Sequence, residues 1–213
     1  MNPNNLFPKF PLTCALAVSI VGCSDHSSSP MAPRFAVCAA HCGSDQGQLV
    51  VDPTAATLAI GGASQQILAQ VVTPDTTGQV VDLRMPVSCD ATGLRIDVRN
   101  VNPDGTPTLP PTAPIFSRVI PNSQVSDPLD GTLHPLNIGR GFAVTAGTPI
   151  AIVLSAARPA GSCGIQQGSV GDSYAFGDGW FIAQPNPPDV WVALSASTGR
   201  NDLPFETFVR LTP

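Results

Sequence analysis

A single glutamate, Glu206, and a single lysine, Lys9, occur in a chain of 213 residues. These two residue types normally clothe the solvent side of helices. A chain almost without them has little material for a helical bundle, a coiled coil or the outer helices of a doubly wound fold. The 23 prolines are about twice the usual share, and proline belongs at turns and strand ends rather than inside helices. Disorder is also excluded, because 43% of the residues are hydrophobic and only 12% charged. The composition predicts an all-β globular protein.

The patterning agrees. In Leu94-Arg95-Ile96-Asp97-Val98-Arg99 apolar and charged residues alternate, as they do along Val81 to Val87 and more weakly along Phe205 to Leu211. A period of two places one face in a core and the other in water. Ile150 to Leu154 is apolar on both sides, as a central strand is. Further strands are predicted at 56–60, 66–73, 114–120, 133–138, 141–146, 179–184 and 190–194. Turn residues separate them, among them Gly61-Gly62, Asn102-Pro103-Asp104-Gly105 and Asp130-Gly131. Many short strands at this spacing predict a single antiparallel β-sandwich or barrel over residues 48–213.

The first 22 residues read as an export signal. Lys9 provides the positive end, and Leu12 to Gly22 is a short apolar run, below the roughly 20 residues a membrane-spanning helix needs. The run ends Val21-Gly22-Cys23, which resembles the bacterial lipobox. That resemblance implies acylation of Cys23 and attachment to a membrane through lipid, with Ser24 at the next position favouring the outer membrane. Several acyl chains hold a protein stably where one does not. Residues 23–47 read as a polar tether. Beyond residue 22 the chain carries nine scattered arginines against fifteen acids, which excludes nucleic acid as a partner.

An exported chain permits disulfides. Cys89 and Cys163 lie within the folded region and form the favoured pair; Cys38 and Cys42 form a second, local pair. A metal or haem site at Cys38-Ala-Ala-His41-Cys42 lacks both the haem spacing and a second ligand pair. For catalysis the folded region offers one histidine, His134, in a surface strand, and no G-x-S-x-G element. Glu206 alternates toward solvent, which leaves a glycoside hydrolase as the weakest of three readings. The densest constellation runs from Gly171 to Trp180, with Asp172 and Asp178 among three glycines, beside Tyr174 and Trp180. Its carboxylates and carbonyls suit a structural Ca²⁺, and its aromatic rings suit a sugar face. Trp191, between apolar neighbours, reads as core.

Several further segments carry a resemblance. Val144-Thr145-Ala146-Gly147-Thr148-Pro149-Ile150-Ala151-Ile152-Val153-Leu154-Ser155 is similar to the V-T-A-G-T-x-Y-A-I-V-L-S hairpin of a widespread bacterial extracellular jelly-roll domain. Asp202-Leu203-Pro204-Phe205-Glu206-Thr207-Phe208-Val209 resembles its closing D-L-x-F-x-T-y-V strand, and Ser64 to Gly78 its opening strand pair, with Val71 at a position often aromatic. The resemblance spans most of residues 64–210. It implies a β-sandwich binding or adhesion module on a surface-anchored protein, with no catalytic residue to carry over. The leading expectation is therefore a non-enzymatic envelope lipoprotein that binds an extracellular glycan or surface protein. A purely structural envelope lipoprotein without a small ligand is the alternative.

Overall fold

The computed structural model describes residues 42–125, 127–184 and 190–211, all within one compact unit. They form antiparallel sheets with one short α-helix, α1 (Ser195–Thr198). No helix among the described residues is long and apolar enough to cross a membrane.

The strands in chain order are β1 (Cys42–Gln48), β2 (Leu58–Gly61), β3 (Ile67–Val72), β4 (Gly78–Met85), β5 (Val87–Cys89), β6 (Leu94–Asn100) and β7 (Phe116–Ile120). They continue with β8 (His134–Leu136), β9 (Phe142–Val144), β10 (Ile150–Ala156), β11 (Ser162–Ile165), β12 (Gly179–Ile182), β13 (Val192–Ala193) and β14 (Phe205–Arg210). One sheet runs β1-β14-β4-β8, with β9 also on β4. The second has six strands in the order β13-β12-β3-β10-β6-β7, and a third, β2-β11-β5, adjoins their shared core. Because the chain passes repeatedly between the sheets, it closes a sandwich as the period-two pattern predicts.

The main core lies between the sheets. The six-stranded sheet contributes Leu68, Ile96, Val98, Ile152 and Leu154; the facing sheet contributes Val80, Leu83, Met85, Phe205 and Val209. β10 is central, paired with β3 on one side and β6 on the other, and is buried on both faces. Pro86 separates β4 from β5. Proline has no N–H for the ladder, and here the chain leaves one sheet and joins another.

Three strands depart from the sequence expectation. The sheet begins at Cys42, so Cys42 to Gly47, assigned to the tether, pair with β14 instead. This strand, Cys-Gly-Ser-Asp-Gln-Gly-Gln, has no apolar alternation to detect; its inward positions are the buried glutamines Gln46 and Gln48. β5 and β11 are also new, and are joined by the Cys89–Cys163 disulfide across directly paired positions. Of the second expected pair, Cys38 lies outside the described residues; Cys42, in β1, forms no disulfide among them.

Candidate functional site

The six-stranded sheet is apolar on its outer face as well as its inner one. Ala69 and Val71 of β3, Ala151 and Val153 of β10, Ile182 and Trp191 form a second cluster, with Val101, Leu109 and Trp180 packed on it. A proline-rich segment, 101–115, crosses this face. Arg99 fastens its far end: the guanidinium donates to the Thr112 carbonyl at 3.0 Å and the Thr108 carbonyl at 3.4 Å, and pairs with Asp97 at 3.6 Å. Arg99 and Asp97 are both nearly buried; satisfied as charge and donor at once, they hold the segment at low desolvation cost.

Beside this segment lies an open groove of about 460 Å³, lined by Val71, Val101, Asn102, Pro103, Gly105, Pro149, Phe176, Gly177 and Asp178. Its exposed wall is Phe176, 61% accessible to solvent. That ring is not loose. It meets Tyr174 edge-on at 5.9 Å, and Tyr174 meets the buried Phe205 edge-on at 5.1 Å. The Phe176 carbonyl accepts a 2.8 Å bond from the Thr73 hydroxyl. Gly177 comes so close to β3 that a Cβ would stand 2.0 Å from the Val71 carbonyl oxygen. Only glycine allows that approach, which lets the Val71 N–H reach the Asp178 carbonyl at 2.9 Å.

Beneath the loop is a buried polar latch. One Asp202 oxygen accepts the Ser173 and Tyr174 amides at 3.0 and 2.9 Å, and the other accepts the Gln70 side-chain amide at 3.1 Å. Gln70 in turn accepts the Leu203 N–H at 2.7 Å. Burial, with the Asp172 charge adding to it, raises the Asp202 carboxyl above the ordinary carboxylate range despite these bonds. The Tyr174 hydroxyl donates to Gln46 of β1 at 2.8 Å, and burial pushes it up to about 12.

The expected loop ligands therefore separate. Tyr174 is a core residue whose hydroxyl binds Gln46, so it offers no ring face to a ligand. Asp178 lines the groove, exposed, with a single 3.4 Å bond from Asn201. Asp172 is exposed and does not line the groove. Trp180 lies behind Gly105, whose added Cβ would be 4.0 Å from the indole edge. Trp191 is buried, as expected. No three histidine, cysteine or acidic side chains converge on one point among the described residues. Residues 1–41, with Cys23, lie outside the described part.

His134 has both ring nitrogens engaged with separate carboxylates, Nε2 with Asp130 at 3.1 Å and Nδ1 with Asp127 at 3.9 Å, and Nε2 also lies 3.1 Å from the Thr132 hydroxyl. A second groove, about 570 Å³, runs over the disulfide but is lined by small side chains without an aromatic ring. Sequence reasoning missed Phe176 as the exposed ring and Asp202 as the residue that positions it. Phe176 stood inside the quoted Gly171–Trp180 stretch, and Asp202 opened the quoted D-L-x-F motif. Comparison with protein-family models, with curated proteins and with solved structures yielded no match.

Proposed function

We propose that this chain is a non-enzymatic, lipid-anchored envelope protein whose sandwich binds a glycan in the groove beside Phe176. The single observation that carries the reading is the exposed Phe176 ring held rigid over an open groove, with Asp178 and the Asn102 loop at its rim. A sugar presents C–H faces to such a ring and hydroxyls to such a carboxylate. A fixed ring binds at lower entropic cost than a mobile one. The lipobox-like Val21-Gly22-Cys23 supports the anchor.

Two measurements test the two halves. Glycan-array binding of the purified sandwich should fall about tenfold with Phe176→Ala, while its melting temperature stays close to the parent's. An array without hits removes the glycan. For the anchor, Cys23→Ser should release the protein from the membrane fraction; retention of the variant, with no incorporation of labelled palmitate by the parent, removes the lipid.

A further inference from the structure

The indole N–H groups of Trp180 and Trp191 are both buried and have no hydrogen-bond acceptor among the described residues. Buried donors are normally paired, and an unpaired one is an exception that calls for a partner. These two are the only tryptophans in the chain, and they share one face. Trp180 pairs with Ala193 across the β12–β13 ladder, and Trp191 lies two residues before Ala193, so both indoles stand in the outer cluster.

What covers them is a hairpin that is complete in itself. The Asn102 N–H binds the Thr106 carbonyl at 2.8 Å, and the Gly105 N–H binds the Asn102 carbonyl at 3.0 Å. The Asp104 carboxylate takes the Thr106 N–H and hydroxyl at 3.0 and 2.7 Å. Gly105, at φ +85°, provides the left-handed turn residue. From 103 to 106 no hydrogen bond reaches the rest of the described molecule. Among the described residues the one hydrogen bond from the Asn102–Thr106 hairpin to a residue beyond it is the 3.4 Å bond from the Asn102 side-chain amide to the adjacent Pro107 carbonyl, so the hairpin can lift off Trp180 as a unit at little hydrogen-bond cost. Grooves open on both sides of it: the one beside Phe176, and a smaller one of about 260 Å³ bounded by Asn102, Asp104, Leu109, Val190 and Trp191.

We propose that Trp180 and Trp191 form a concealed stacking platform for an oligosaccharide, and that the Asn102–Thr106 hairpin is the strap that covers it. This deepens, and rests on, the glycan reading of the Phe176 groove: the two grooves are the open ends of one longer site. The chemistry selects the class. The platform offers apolar ring faces and two N–H donors, while the rim offers carboxylates, Asp104 and Asp178, with no arginine or lysine lining either groove. A ligand must present C–H faces, accept from the indoles and donate to the carboxylates, without negative charge. Neutral sugar rings do all three.

The test uses tryptophan emission of the full exported chain, detergent-solubilised with its disulfide intact, titrated with chitohexaose, cellohexaose and maltohexaose and followed in parallel by calorimetry. At least one hexasaccharide should bind and shift the emission. Trp191→Phe, which keeps a ring and removes the donor, should weaken binding about threefold. Leu109→Ala, which loosens the strap, should tighten binding about threefold by raising the open population. Calorimetric binding with silent emission, lost in Phe176→Ala and unchanged in Trp191→Phe, overturns the platform and leaves the open groove standing. Absence of calorimetric binding overturns both. Weaker binding in Leu109→Ala overturns the strap. Binding of a proline-rich peptide in place of every saccharide, with the same emission shift, overturns the ligand class.

Discussion

The two outer faces of the sandwich are built on opposite principles. On the β1-β14-β4-β8 side the charged cluster around Arg84 is paired within itself. Arg84 lies 4.4 Å over the Phe208 ring, pairs with Asp82 at 3.0 Å and reaches Glu206 at 3.6 Å, and Glu206 accepts the Ser44 hydroxyl at 3.0 Å. Cation, ring and carboxylates there satisfy one another. On the six-stranded side the middle of the face is apolar, two indole donors lack partners among the described residues, and an aromatic ring stands exposed beside a groove. A face saturated by its own pairs is a finished surface; a face with unmet groups has capacity to bind. That contrast places the candidate site on the six-stranded side.

The comparison is tested most severely by a change that should not respect it. Replacing Cys89 and Cys163 together by alanine frees a loop spanning a sequence separation of 74, which in the chain-entropy picture costs about 4 kcal/mol. Denaturant unfolding should show that loss, with glycan binding of the remaining folded fraction intact; loss of binding at constant stability would mean the disulfide belongs to the site. Next, Ile182→Ala truncates a side chain 4% exposed in the outer cluster and should cost about 3 kcal/mol. A cost below about 1 kcal/mol would show that this face is a loosely packed surface and not a second core.

Asp202→Asn should cost about 2 kcal/mol, because an amide whose oxygen keeps the Ser173 and Tyr174 N–H groups turns its own NH2 toward the Gln70 side-chain donor that the second carboxylate oxygen accepts. Its sign with pH is opposite to the common carboxylate case. The folded Asp202 holds its proton to higher pH than the unfolded chain, so it adds stability as pH falls through the carboxylate range. Asp52, Asp104 and Asp130 behave conversely: hydrogen bonds from Thr54, Thr106 and Thr132 hold them below that range, and their contribution is lost in acid. The melting-temperature gap between the Asn variant and the parent should therefore widen from neutral to acid pH; a narrowing gap would contradict the raised Asp202. The smallest effect is expected on the finished face, where Arg84→Ala, a partly exposed pair, should cost under about 1 kcal/mol. A larger loss would show that the charged face also stabilises the fold.

The alternating strands β4, β6 and β14 and the uniformly apolar β10 were legible because each has one or two faces against a core. β1 was not, since its inward residues are the buried glutamines Gln46 and Gln48, and no hydropathy pattern distinguishes such a strand from a tether. β5 and β11 were hidden by their shortness, three and four residues rich in serine, glycine and cysteine. The Gly171–Trp180 stretch was recognised as dense in chemistry, but its members face different ways: Tyr174 inward, Phe176 and Asp178 toward the groove, Trp180 under the hairpin.

Composition and period two determined an all-β sandwich by themselves, because helix-forming charged residues are missing and alternation obliges each strand to bury one face. The disulfide pair was also readable, as the two cysteines inside the patterned region. Which aromatic ring is exposed, which acid is buried and which two tryptophans share a face were decided only by the tertiary structure. Those properties depend on pairings between positions far apart in the chain, such as Asp202 with the Ser173 and Tyr174 amides or Trp180 with Ala193. Local sequence sets how a strand alternates; only the ladder and the packing of one sheet on another decide which neighbour each side of it meets.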